Sequence, residues 1–249
     1  MPSLVVPRRF NGPPASGNGG WSAGALAALL LPPDDAATPV SVRLHRPPPL
    51  ETAMDVEVSG VPGSRAAVAR AAGDVVLTAG EVGADALPAP LPPVDAETAA
   101  AAAARYRGRR EHPFPTCFTC GPQRAPGDGL RLEPGTLLFR DDVTACVWTP
   151  DASLDAGDGA VASPVVWAAL DCPGGWSVDL VGRPMVLGSI TAAVTRRPRV
   201  GEPCVVVGAA LGASGRKTLT ATTLYGSDGA VLARAGHVWI AVDPATFPQ

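Results

Sequence analysis

Hydrophobic and polar positions along this chain fall into two series with one shared order: an apolar helical stretch, then several short alternating segments. In the first series, Ser16-Gly17-Asn18-Gly19-Gly20 opens an apolar segment from Trp21 to Leu31, closed by Pro32-Pro33. Leu26, Leu29 and Leu30 share one face at helical spacing, and the small residues Ala23, Gly24, Ala27 and Ala28 leave room for another element to come close. Strands are predicted over 40–45, 54–58, 65–71 and 75–82; Val40, Val42 and Leu44 alternate with polar neighbours, the period of a half-buried strand. In the second series, Ser163 as N-cap and Pro164 at the first helical position open an apolar segment that runs to Asp171. Pro173-Gly174-Gly175 predicts its end or a kink. Strands are predicted over 187–194, 204–211, 216–225 and 231–242, with Ser227-Asp228-Gly229 as a hairpin turn.

The two series are separated at 84–94, where four prolines exclude regular helix or central strand. Asp95 then caps an alanine-rich helix predicted over 96–104, followed by Arg105, Arg107, Arg109 and Arg110. These features divide the chain into an N-terminal half (1–95), a linker helix with a basic connector (96–112) and a C-terminal half (113–249). The halves align without a gap over 44–50 and 194–200, placing Arg46 over Arg196 and Pro48 over Pro198. Further on, Val76-Leu77 and Ala79-Gly80 resemble Val231-Leu232 and Ala235-Gly236. The reading is a duplicated α+β unit, one central helix wrapped by an antiparallel sheet, twice.

Composition narrows the class. With 46% hydrophobic and 17% charged residues the chain can bury a core. Lys plus Arg at 20 against Asp plus Glu at 23 gives a net charge of −3, without the basic excess of a nucleic-acid binder. The longest apolar run, Ala25 to Leu31, is far short of the ~20 residues that span a bilayer. The first residues show no charged start followed by an apolar core, so no secretory leader is expected. Five scattered cysteines do not suggest a disulfide scaffold, and a cytoplasmic location is the expectation.

Two segments carry a family resemblance. Asn18-Gly19-Gly20 stands at the start of the first central helix, and Cys117-Phe118-Thr119-Cys120-Gly121-Pro122 is followed by Gly129-Leu130-Arg131-Leu132. With the duplicated architecture, these motifs resemble a double-hotdog protein of the acyl-CoA thioesterase-like superfamily. Asn18 stands where many hotdog thioesterases have His, and Arg124-Ala125-Pro126 replaces the Asn-Pro usual between the two parts of the cysteine motif.

The resemblance implies hydrolysis of an acyl-CoA or acyl-carrier-protein thioester. Coenzyme A would arrive as part of the substrate, with no other cofactor and no metal. Such chemistry needs a polarised carbonyl and an activated water. Unpaired N–H groups of Gly19 and Gly20 at a helix start suit the first need, with Trp21 packed beside the acyl path and Asn18 either orienting the thioester or water or simply capping the helix. The family commonly takes its carboxylate from the opposite subunit's central helix; here that helix lies in the other half, and Asp171 is its acid. The structural alternative for Asp171 is a helix-end residue bonding to the turn after it. The first helix has no acid between Gly19 and Leu31, so one competent site is expected rather than two. A second register, with the helix starting after Gly175, would make Asp179 the helix acid, but Pro184 leaves it little room.

Cys117 and Cys120 have metal-ligand spacing, yet zinc needs two more ligands. Cys146, Cys172 and Cys204 sit in separate elements and His112 lies only five residues before the pair, so a turn lining the substrate entrance is expected instead. Ser22 and Ser163 read as helix-start residues. His45 and His237 read as structural or surface residues, and Trp148, Trp167, Trp176 and Phe139 as core or as walls of an acyl tunnel. The arginines at 105–110 read as a solvated linker end or as contacts to coenzyme A phosphates or to an acidic carrier protein. Two other functions fit the resemblance: a hotdog dehydratase on 3-hydroxyacyl thioesters, for which no His stands at the helix start, and a non-catalytic binder of acyl thioesters or another small apolar ligand. Monomer and homodimer are both compatible, because a double hotdog already forms its pair within one chain.

Overall fold

The computed structural model describes residues 2–32, 35 and 37–243. Pro33, expected to help close the first helix, lies outside the described residues. Among the described residues, eleven strands form one sheet: β1 (Ser3–Leu4), β2 (Val40–Leu44), β3 (Met54–Ser59), β4 (Ala66–Ala71), β5 (Asp74–Glu81), β6 (Gly135–Leu137), β7 (Arg140–Trp148), β8 (Met185–Val194), β9 (Cys204–Ser214), β10 (Lys217–Tyr225) and β11 (Val231–Ala241). Their order is β1-β3-β4-β5-β2-β8-β11-β10-β9-β7-β6. The α-helices among the described residues are α1 (Gly19–Leu30), α2 (Ala96–Ala103) and α3 (Ser163–Gly175).

The halves meet where β2 pairs antiparallel with β8, Val40 opposite Ala192 and Val42 opposite Ile190. The duplication is written into the hydrogen bonds. His45 and Arg46 both donate their N–H to Val76 O, as Thr195 and Arg196 do to Leu232 O. Gly17 N–H donates to Pro48 O, as Val161 N–H does to Pro198 O. Bridges Asn11–Gly17 and Ser16–Pro49 recur as Asp155–Val161 and Ala160–Arg199. The equivalence of Val76 with Leu232 shifts the expected match of Val76-Leu77 with Val231-Leu232 by one residue; Ala79-Gly80 over Ala235-Gly236 agrees with it.

Helices α1 and α3 pack against each other inside the sheet, both hydrophobic nearly all round because both are enclosed. Glycine sets their separation. A Cβ on Gly20 would meet Trp167 O at 2.6 Å, and one on Gly24 would meet Trp167 Cβ at 2.6 Å. Gly24, one of the small residues foreseen on the first helix, therefore faces the second, whereas Ala28 is exposed. Trp148, Trp167 and Trp176 are core residues, whereas Phe139 is 92% exposed in the β6–β7 turn and is neither core nor tunnel wall.

One expectation about α3 is corrected. Ser163 is the first helical residue rather than the cap; Ala162 is the N-cap and supplies no side-chain bond. The helix passes through Pro173 and ends at Gly175, within the segment where its end was expected. Pro173 O accepts the Thr144 hydroxyl at 2.7 Å. A Cβ on Gly174 would meet Thr220 Oγ1 at 2.7 Å, and one on Gly175 would meet Trp239 Cζ2 at 2.8 Å. Close seating on the sheet thus holds the last turn where the proline removes a helical bond. Asp95 caps α2 as expected, accepting Thr98 N–H at 2.8 Å. Helix α2 lies on the outer face of β6 and β7. The proline-rich segment before it is tied to β10 and β11 through Leu91 N–H to Thr223 Oγ1 (3.0 Å) and Arg234 to Pro88 O (2.7 Å).

Candidate active site

The N-terminus of α1 meets the middle of α3 at the wall of a cavity of about 250 Å³. Asn18 caps α1 with one amide atom and reaches α3 with the other. Its Oδ1 accepts Trp21 N–H at 2.8 Å, while Nδ2 donates to Asp171 Oδ2 at 3.2 Å and to Thr119 Oγ1 at 3.3 Å. Gly20 N–H donates to the same Asp171 oxygen at 2.9 Å. That contact needs glycine, because a Cβ on Gly20 would stand 2.7 Å from Asp171 Cβ. Thr119 in turn donates its hydroxyl to Ala168 O at 3.0 Å, so the cysteine-containing loop clamps the junction.

Asp171 is 2% exposed, and its Oδ1 has no hydrogen-bond partner. Burial raises its pKa to about 7; the Gly20 N–H opposes the rise, a nearby Cys117 charge adds to it, and the Asn18 amide opposes it. The carboxylate is thus oriented through one oxygen and unpartnered at the other, and it borders the cavity.

The residues singled out in the sequence divide clearly. Asn18, Gly19, Asp171, Cys117 and Cys120 border the cavity. Gly20 serves the site by bonding Asp171, so its N–H is already engaged. Trp21 faces elsewhere and stacks on Phe10, centroids 4.3 Å apart. Asp179 is in a loop beyond α3, paired with Arg107 at 2.9 Å. Ser22 is buried with no partner for its hydroxyl. His237 is buried on β11, its Nδ1 3.1 Å from Thr220 Oγ1.

Sequence reading missed a convergence at the cavity floor. Cys172, expected to be remote from the Cys117/Cys120 pair, joins it: Cys117 Sγ and Cys172 Sγ are 3.8 Å apart, and the three sulfurs lie within 4.8 Å of one another. His112 and Trp176 reach the same cluster. No signal in the spacing marks it: Cys172 follows Asp171 on α3, and only the packing of the loop against that helix brings it to the pair.

The sequence matches no protein-family model and no curated protein. Solved structures do match. A hot dog fold protein of unknown function from Alicyclobacillus acidocaldarius shares 13% identity at a TM-score of 0.61, covering 97% of this chain and 93% of that one. A candidate thioesterase II from Thermobifida fusca shares 16% identity at a TM-score of 0.61, covering 97% and 92%. The tesB protein of Mycobacterium avium subsp. paratuberculosis shares 13% identity, also at 0.61 and also covering 97% and 92%. The fold is a double hotdog. Coverage of nearly the whole chain by these matches shows that both hotdog units and their junction are retained. Among the described residues, no helix of this double hotdog is long and apolar enough to cross a membrane.

Proposed function

We propose that this double hotdog hydrolyses an acyl thioester, with Asp171 as the general base. The observation that carries the reading is the arrangement of that carboxylate. Its Oδ2 is fixed by Asn18 Nδ2 and Gly20 N–H, and its Oδ1 is left without a partner beside a cavity. A water on Oδ1 would give up its proton as it attacks the thioester carbonyl. Oxyanion stabilisation falls to Gly19 N–H at the first position of α1, since the next two N–H groups are taken by Asp171 and Asn18. A Cβ on Gly19 would stand 2.9 Å from Leu187, so a larger residue there must displace Leu187 or crowd the cavity. The apolar wall of Leu187, Met185 and Trp239 suits an acyl chain or the pantetheine arm. Arg46 and His45 border the same cavity and suit the phosphates of coenzyme A, or the acidic surface of a carrier protein.

Thiol release from short, medium, long and aromatic acyl-CoAs tests the reading. Wild type should turn over at least one class, and Asp171→Asn should lose on the order of 10²–10⁴-fold while its circular dichroism is unchanged. Equal turnover by both proteins would move the base elsewhere. Tight binding without turnover would support a non-catalytic binder, and appearance of an enoyl thioester a dehydratase.

A further inference from the structure

The loop that opens the C-terminal half and helix α3 bring three thiols together where a metal ion fits. We propose that Cys117, Cys120 and Cys172 bind one thiophilic cation, Zn²⁺, with its fourth coordination position facing the cavity. This proposal stands independently of the hydrolytic reading.

Geometry comes first. Tetrahedral zinc with Zn–S bonds of about 2.3 Å sets its sulfurs about 3.8 Å apart. Cys117 and Cys172 Sγ are 3.8 Å apart, and Cys120 completes a triangle with no edge above 4.8 Å. The Cys117/Cys120 turn is built to aim both sulfurs one way. Gly121 N–H closes it onto Cys117 O at 2.8 Å, and a Cβ on Gly121 would stand 2.6 Å from that oxygen. All three cysteines are buried, yet all three border the cavity, so the triangle is open on one side.

The surroundings suit thiolates. Phe114 N–H donates to His112 Nδ1 at 2.9 Å, which puts the ring proton on Nε2, 3.3 Å from Cys120 Sγ. His112 is therefore a donor to sulfur rather than a fourth ligand. Trp176 Nε1–H donates to Cys120 Sγ at 3.4 Å, and Asn18 Nδ2 lies 3.8 Å from Cys117 Sγ. Three side-chain donors directed at two sulfurs are the outer contacts that tune a metal–thiolate centre. Three soft ligands select zinc or a similarly thiophilic ion over magnesium or calcium. Binding replaces three thiol protons by one Zn²⁺, and the protons leave to solvent. A disulfide between any two of these residues would strand the third and would need an oxidant.

The full-length protein, purified reduced and without oxygen, should bind one equivalent of Zn²⁺ by elemental analysis. With Co²⁺ in its place it should show thiolate-to-metal charge-transfer absorption in the near ultraviolet. Cys120→Ser and Cys172→Ser should lose both signals; Cys204→Ser, outside the triad, should keep them. His112→Phe should keep the stoichiometry and weaken affinity by about 10–100-fold. Alkylation of the wild type, with and without Zn²⁺, needs no variant to fold: zinc should slow alkylation of Cys117, Cys120 and Cys172, which border the cavity, and leave the rates of Cys146 and Cys204, buried away from it, unchanged. Absence of stoichiometric binding, retention of both signals by the triad variants, or zinc-independent alkylation of the triad would overturn the proposal.

Discussion

The two ends of the α1–α3 pair occupy equivalent places in a duplicated fold and carry opposite chemistry. At one end Asn18 caps α1, Gly20 offers its N–H, and Asp171 of the facing helix receives both. The repeated bridges Asn11–Gly17 and Asp155–Val161 set the correspondence. By it, Ala162 replaces Asn18, Pro164 replaces Gly20, and Ala27 replaces Asp171. The second end thus has no capping amide, no N–H at the critical position and no carboxylate. Two copies held in one chain can diverge in this way, because the residues at each end can change without changing those at the other. A symmetric pair of identical units would carry both sites or neither.

The strongest test of that difference is to install the missing acid. Ala27 is 4% exposed, and the groups that hold Asp171 are absent around it. Ala27→Asp should cost about 3–5 kcal/mol in chemical denaturation, the penalty of a buried charge without partners. A cost below about 1 kcal/mol would mean that the second end also accommodates a carboxylate.

A pH series sharpens the picture of the helix that carries the acid. His237 lies beneath Gly174 of α3, and burial lowers its pKa from 6.5 to about 4. A histidine held neutral in the fold contributes fully above about pH 6.5, and its contribution is lost as pH falls through 4. Unfolding free energy should therefore drop by about 3 kcal/mol across that window from this group. His237→Asn should flatten that part of the profile, and an unchanged profile would show that His237 is not held neutral.

The smallest contrast lies at the two helix starts. Asn18→Ala should cost about 1 kcal/mol as a lost cap, and it should also impair turnover. Ser163→Ala, at a position that makes no capping bond, should stay within about 0.5 kcal/mol. Equal costs at both positions would erase the asymmetry.

Much of this was legible in the chain. Alternation located the strands of β2 and its neighbours, Asn18 announced its helix start, and Asp171 stood out as the lone acid in an apolar segment. Strand β7 escaped because α2 covers its outer face. Val143 and Ala145 pack outward while Thr144 and Cys146 face inward, so four consecutive residues are buried and the alternation disappears. The end of α3 falls in the expected Pro173-Gly174-Gly175 segment, at its far edge, because contacts of Gly174 and Gly175 with strands far along the chain hold the turn after the proline. The thiol triad was hidden for a similar reason, since spacing along the sequence says nothing of a loop folding back onto a helix.

The proposed function puts the ligand at one end of the helix pair. Calorimetric titration with a non-hydrolysable acyl-CoA thioether tests it most directly, on wild type and on Gly19→Leu, whose side chain must displace Leu187 or enter the cavity. One equivalent per chain is expected for wild type and none for Gly19→Leu with its fold intact. Two equivalents, or one that survives in Gly19→Leu, would contradict it.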